Sequence, residues 1–384
     1  MIYLFVFTLS VLFTYLAQRT VCQKLFFYLF SMIAVLLPSL LAGFRDSGVG
    51  TDTLIYADDV WEKITYCDNW NIFFLSYATR VFDDIELLYL LINYLVYQLG
   101  GNLHTLYFMV NFIVVLFFYM TAYDNRKKAS MWLVMAIFFL MYYNVSLNLI
   151  RQSIALSMCV YAFKYAENRR WRLLLIWCFL IVSTHNTGIF YIVFLVFYFV
   201  WNMKMGKLRN MVLFFFCFLL GSFFIAFDAI LSLAVFMSFL PAKFLEYSSG
   251  NMESVIQKSY LLFYFVILLF FLLINRLNRN IVSSRIELSY YSSTKFVGFL
   301  LLITSLISKW AFRVSYYFNY SSDCVFLPRA LHILKKRNRN YYMMAVLCLL
   351  LFCIIMWFWI IVYRNENETL SLIHIWRCRR SYAC

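Results

Sequence analysis

The stretch LFFYLFSMIAVLLPSLLAG, Leu25–Gly43, runs for nineteen residues without a charged side chain. As a helix it is roughly 30 Å long, the thickness of a bilayer's hydrocarbon core. Apolar runs of this kind recur along the 384-residue chain, broken by short polar loops such as DNRKK and ENRRWR. The composition agrees: 64% hydrophobic, 22% aromatic and 13% charged, with a mean hydropathy of +0.78. Such a chain is an integral membrane protein. Its spans are apolar on every face rather than alternating in polarity, which excludes an outer-membrane β-barrel and leaves helices to satisfy the backbone.

Reading outward from that stretch predicts an all-α fold, a polytopic transmembrane helix bundle of about 12 spans. They fall near 2–17, 25–43, 104–122, 131–145, 149–166, 171–185, 187–202, 211–236, 259–275, 296–312, 314–334 and 341–363. The formal charge of +15 resides in short clusters between spans: Arg19/Lys24, Arg126–Lys128, Arg169–Arg172, Lys204–Arg209, Arg276–Arg285 and Lys335–Arg339. Clusters of that kind are topology signals rather than a nucleic-acid face, and they place one side in the cytoplasm. The segment Asp83–Gly101 would invert this order if it spanned; its apolar part is short, so it reads as an interfacial helix. The region 44–103 is then an external loop with amphipathic and interfacial helices, inside a single membrane domain, 1–369. Met1–Ala17 reads as the first span rather than a cleaved signal. The ten cysteines form no CxxC or metal spacing, and no metal or other cofactor is expected. The tail 370–384, with LSLIHIWRCRR at Leu370–Arg380, resembles a sequencing adaptor translated in frame.

With sides assigned, Arg45, Arg151, His185 and Arg313 all fall at external ends of spans. Ionisable groups at membrane depth cost about 3 kcal/mol each on insertion scales and normally face a bundle interior. Arg151 opens RQSIALSMCVYAFKYA, where Ala155, Cys159, Ala162 and Ala166 share its helical face. That stripe of small residues suits helix packing, so Arg151 should point inward, where it needs an anionic partner. Arg313 follows Lys309 by one turn and Ser305 by two, ahead of a span carrying Tyr316, Tyr320 and Asp323 on one face. Tyr316, Tyr320 and Gln152 are candidate sugar contacts. Neutral His185, in STHNTG, can accept a proton near physiological pH.

The segment AGFRDSGVGTDTLIY, Ala42–Tyr56, adds Arg45 and a glycine-rich turn. Gly48 and Gly50 can turn backbone amides toward an anion, and Thr51 or Thr53 can cap a following helix. Leu54, Val60, Trp61 and Ile64 give that helix an apolar face suited to the bilayer surface. Asp58/Asp59 and Asp83/Asp84 read as solvated faces.

Taken in order, RDSGVGTDTLIY, LIRQSIALSMCVYAF, STHNTGIFYI and FRVSYYF with Pro328 resemble the motifs of the EpsG family of bacterial exopolysaccharide polymerases, related to Wzy-type O-antigen polymerases. The resemblance implies a multipass inner-membrane glycosyltransferase that joins oligosaccharide repeat units carried on undecaprenyl pyrophosphate. Its partners would be that lipid-linked sugar, membrane lipids and a chain-length regulator, with no nucleic acid. Arg45, Arg151 and Arg313, with Gly48 and Gly50, would then bind pyrophosphate, and His185 or alternatively Asp52 would be the base. A lipid-linked oligosaccharide flippase and a membrane-bound O-acyltransferase are the competing readings.

Overall fold

The computed structural model describes residues 2–46, 49–50, 53–83, 85–203, 206–237, 258–278, 282–306, 309–365 and 369. Among the described residues every regular element is helical. They divide into two compact units, one formed by residues 1–189 and 343–384, the other by 190–342.

The first unit holds α1 (Ile2–Arg19), α2 (Lys24–Gly43), α3 (Asp59–Thr65), α4 (Trp70–Ala78), α5 (Leu87–Gln98), α6 (Leu103–Asp124), α7 (Met131–Met141), α8 (Tyr143–Asn148), α9 (Ile150–Glu167) and α10 (Trp171–Thr184). The ends of these helices sort themselves by contact. Helices α2 and α6 run antiparallel: the Gly43 carbonyl meets His104 Nδ1 at 2.9 Å, and Phe27 packs on Tyr123 at the other end. Helices α6 and α9 run parallel, tied by Lys164 and Asp124 at 2.7 Å near their C-termini. The chain entering α7 bonds its Met131 amide to Gln18 of α1, 2.9 Å, and leaves that helix beside Tyr3. One end of the unit therefore gathers Arg19, Lys24, Arg126 and Arg169. The opposite end gathers Gly43, the starts of α6 and α9, and the end of α10. The separation of basic clusters from candidate site residues that the charge pattern predicts is present in this unit.

The second unit holds α11 (Phe190–Trp201), α12 (Gly206–Ile225), α13 (Phe227–Phe236), α14 (Lys258–Leu277), α15 (Val282–Thr304), α16 (Lys309–Ser321) and α17 (Leu327–Arg337). A π turn, Ser322–Phe326, joins the last two, and Pro328 sits just after it, in the first turn of α17. Helix α18 (Arg339–Trp357) begins here and has most of its length in the first unit. Within the second unit Lys295 of α15 is wholly buried against Asp323, with Nζ 2.7 Å from Oδ2 and 3.1 Å from Asn319 Oδ1.

Five described helices are long and apolar enough to cross a membrane: 2–19, 24–43, 103–124, 260–277 and 339–363. A sixth candidate is a pair bent by 63°, 209–225 with 229–236. This is fewer than the twelve spans expected, for visible reasons. The expected span 131–145 is broken at Tyr142 into α7 and α8. Helix α9 carries Arg151, Lys164 and Glu167 and is enclosed by its neighbours, so protein rather than lipid covers its surface. Instead of a boundary between 312 and 314, α15 ends at Thr304 and α16 begins at Lys309, which puts Arg313 inside α16 and Ser305 outside it. In the loop after α2, Val60 and Ile64 are buried against α5 rather than turned to a bilayer surface. The tail 370–384 lies outside the described residues.

Candidate functional site

Three segments of the first unit meet at one carboxylate. Helix α5 begins at Leu87, so Glu86 stands at its N-terminal edge with extended backbone. Its Oε2 pairs with Arg151 Nη1, and its Oε1 lies 3.0 Å from His185 Nδ1 and 2.8 Å from the Asn186 amide. Arg151 is brought there by the first turn of α9. The small-residue stripe behind it (Ala155, Cys159, Ala162 and Ala166) is buried, as its spacing predicts. The guanidinium also covers Tyr56, with Cζ 4.1 Å from the ring centre. Tyr56 is tied in turn to α5, because Tyr89 donates to its carbonyl at 2.8 Å.

His185 ends α10 in an extended conformation, and the tight turn Asn186–Ile189 folds back over that helix. Gly188 allows this. A Cβ there would lie 2.7 Å from Ile181 Cγ2 and 2.8 Å from the Ile181 carbonyl oxygen. The sequence STHNTG is thus a device for presenting one imidazole and one amide to the same acceptor.

Burial by itself disfavours the Glu86 carboxylate, yet the hydrogen bond from His185, the Arg151 charge and the Asn186 amide outweigh it and hold its pKa down to about 2. In the sequence Glu86 is one of nine acidic residues between positions 44 and 86 and has no local mark of its own. The need of Arg151 for an anionic partner was the one signal pointing to it.

Arg45 belongs to the same neighbourhood, because Tyr89 feels the charges of Arg45, Arg151 and Asp58 together. Only 2% of Arg45 is exposed. Its Nη1 donates to the Leu147 carbonyl at 2.7 Å, its Cζ lies 4.2 Å from the Tyr107 ring centre, and its Nε has no hydrogen-bond partner among the described residues. Burial lowers the guanidinium pKa from its usual value, and tyrosines rather than a carboxylate oppose that effect. Among the described residues this buried cation is met by a carbonyl and ring faces and by no carboxylate, an incomplete electrostatic balance.

Gly50 adopts φ +91° with its Cα side against Asn148, so the glycine is required there. Thr53 bonds its hydroxyl back to the Val49 carbonyl, 2.7 Å. The π turn Leu54–Asp58 runs directly into α3, so a continuous helical segment follows Thr53, as the sequence predicts. Asp58 is not simply solvated, because it accepts a hydrogen bond from Tyr107. Asp59, by contrast, is exposed and pairs with Lys63. Gly48, Thr51, Asp52 and Asp84 lie outside the described residues.

Gln152 is buried in α9 next to Arg151. Arg313, Tyr316 and Tyr320 belong to the second unit. There Tyr316 and Tyr320 are buried in aromatic packing, with ring centres 5.4 Å apart and Phe312 4.7 Å from Tyr316. Among the described residues no three His, Cys, Asp or Glu side chains gather as a metal site requires.

The sequence profile of the EpsG family matches residues 27–373, nearly the whole chain. The chain belongs to the EpsG family. EpsG is a Wzy-like polymerase family, so the protein is a membrane protein associated with exopolysaccharide polymerisation. No curated protein and no solved structure matches it. Within this EpsG chain, two of the motifs that carry the family resemblance, around Arg151 and His185, meet at Glu86, and a third supplies Arg45.

Proposed function

We propose that this EpsG protein is a glycosyltransferase that joins oligosaccharide repeat units carried on undecaprenyl pyrophosphate at the outer face of the inner membrane. In the proposed step an acceptor hydroxyl attacks the anomeric carbon of the donor repeat. The new glycosidic C–O bond forms as the C–O bond to pyrophosphate breaks, and the hydroxyl proton passes to His185. Lipid pyrophosphate leaves. Fixed positive charge at the developing phosphate charge is usually the largest single contribution to such a step, and in this reading Arg45 supplies it without a metal. The supporting observation is the buried Arg45, with no carboxylate partner among the described residues, whose charge acts on the same tyrosine, Tyr89, as that of Arg151 in the Arg151–Glu86–His185 cluster. A chain-length regulator is the expected protein partner.

The test is chain growth in cells whose own copy is replaced by variants. Arg45→Ala and His185→Ala should each leave single lipid-linked repeats on the outer face and no ladder of longer chains. Wild-type ladders from stably inserted variants would overturn the reading. Single repeats retained on the inner face would point instead to transport of the lipid-linked sugar.

A further inference from the structure

A buried carboxylate needs one cation to be balanced, yet Glu86 collects three donors from two other segments. Arg151 Nη1 pairs with Oε2, while His185 Nδ1 and the Asn186 amide share Oε1 at 3.0 and 2.8 Å. Glu86 is 8% exposed and His185 likewise 8%. An ionised carboxylate accepts hydrogen bonds and donates none. The imidazole nitrogen facing it must therefore carry the hydrogen, and in the neutral ring the lone pair then sits at Nε2, on the far side from Glu86. The Asn186 amide adds a constraint that a salt bridge alone does not require: it fixes the backbone carrying His185 against the same oxygen. Gly188 keeps that turn closed over Ile181. The charge arithmetic also bears on Arg151. Its guanidinium is matched by Glu86, whereas Arg45 has no carboxylate partner among the described residues.

We propose that Glu86 is the positioning residue of the site: it holds His185 in the tautomer with its lone pair at Nε2 and takes up the Arg151 charge, so Arg151 braces Glu86 instead of binding the leaving group. This rests on the reading of His185 as the base. Glu86 touches no reacting atom in this scheme and acts through His185. The arrangement parallels the general logic in which a carboxylate orients an imidazole for proton transfer, where the wrong tautomer costs orders of magnitude in rate.

The experiment uses the full-length chain. First, the 15N resonances of His185 in lipid nanodiscs, identified by their loss in His185→Asn, should show a protonated Nδ1 and an unprotonated Nε2. A protonated Nε2 in the neutral wild-type ring overturns the proposal without recourse to any variant. Second, chain growth is compared for Glu86→Gln, Arg151→Gln and the double variant. Glu86→Gln should lose about 10²-fold or more in chain growth, within the range general-base contributions span, and should disturb the His185 tautomer. Arg151→Gln should keep the tautomer and lose less. The double variant restores charge balance, yet should grow chains no better than Glu86→Gln. Recovery of wild-type growth in the double variant would show that only the ion pair matters, and wild-type growth in a folded Glu86→Gln would remove Glu86 from the site. Wild-type growth in His185→Ala sinks the polymerase mechanism itself, a distinct outcome from either.

Discussion

The guanidinium carbon of Arg45 lies 4.2 Å from the centre of the Tyr107 ring, and that ring's hydroxyl is held by Asp58. The tyrosine thus relates a buried cation to a carboxylate it does not touch. Two substitutions separate the ring from the hydroxyl. Tyr107→Phe keeps the face under Arg45 and loses a hydrogen bond to a charged group, a loss of about 1.5–3 kcal/mol. Tyr107→Leu also removes the ring face, worth about 2 kcal/mol for a desolvated cation. Thermal denaturation in detergent should rank Tyr107→Leu clearly below Tyr107→Phe; equal stabilities would mean that the ring does nothing for Arg45.

The Glu86 carboxyl titrates near 2 in the folded protein, down from 4.5. A depressed carboxylate pKa contributes stability that is complete above the unfolded value and is lost as pH falls through the folded one. The melting temperature of the wild-type protein should therefore fall between pH 4.5 and about 2, and Glu86→Gln, less stable at neutral pH, should fall less steeply across that window. Parallel curves for the two proteins would show that Glu86 gains nothing from its three donors.

Gly188 offers a test of the turn that carries His185. A methyl group there meets the Ile181 carbonyl oxygen, a backbone atom that cannot swing aside as a side chain would. Gly188→Ala should displace Asn186 and His185 together, cost about 1–3 kcal/mol in stability and shorten the polymer although no reacting group has been changed. Unaltered chain length in Gly188→Ala would mean that the turn tolerates opening.

The membrane class and several helices were legible because hydropathy is a local property. Leu25–Gly43 and the predicted 104–122 fall within one or two residues of α2 and α6. The break between α15 and α16 was not legible, since LLITSLISKWAF at 301–312 contains no glycine or proline to mark it. Arg45, Gly50, Arg151 and His185 were found as chemically unusual residues in an oily chain. Glu86 was not, because its partners lie 65 and 99 positions away and one acid among nine in a loop carries no local signature. Asp58 was misread for the same reason: its partner, Tyr107, lies 49 positions along the chain. Pairing across a helical bundle is set by tertiary packing, and a single sequence records only which side chains need a partner.

Lys295 and Asp323 show the same dependence in the second unit. Both are fully buried, 2.7 Å apart, with Asn319 Oδ1 on the ammonium and the Ser322 hydroxyl donating to Asp323 Oδ1 at 3.2 Å. The ammonium also lies 4.3 Å from the Tyr264 ring centre, so helices α14, α15 and α16 with its π turn all meet at this pair. Removing one partner strands a charge in a medium that cannot solvate it, which typically costs about 3–5 kcal/mol, whereas replacing both by apolar groups is often neutral or stabilising. Lys295→Met and Asp323→Leu should each lower thermal stability sharply, and the double variant should recover most of it. Additive losses in the double variant would show that the two charges stabilise the unit independently, through Asn319, Ser322 and Tyr264, rather than through each other.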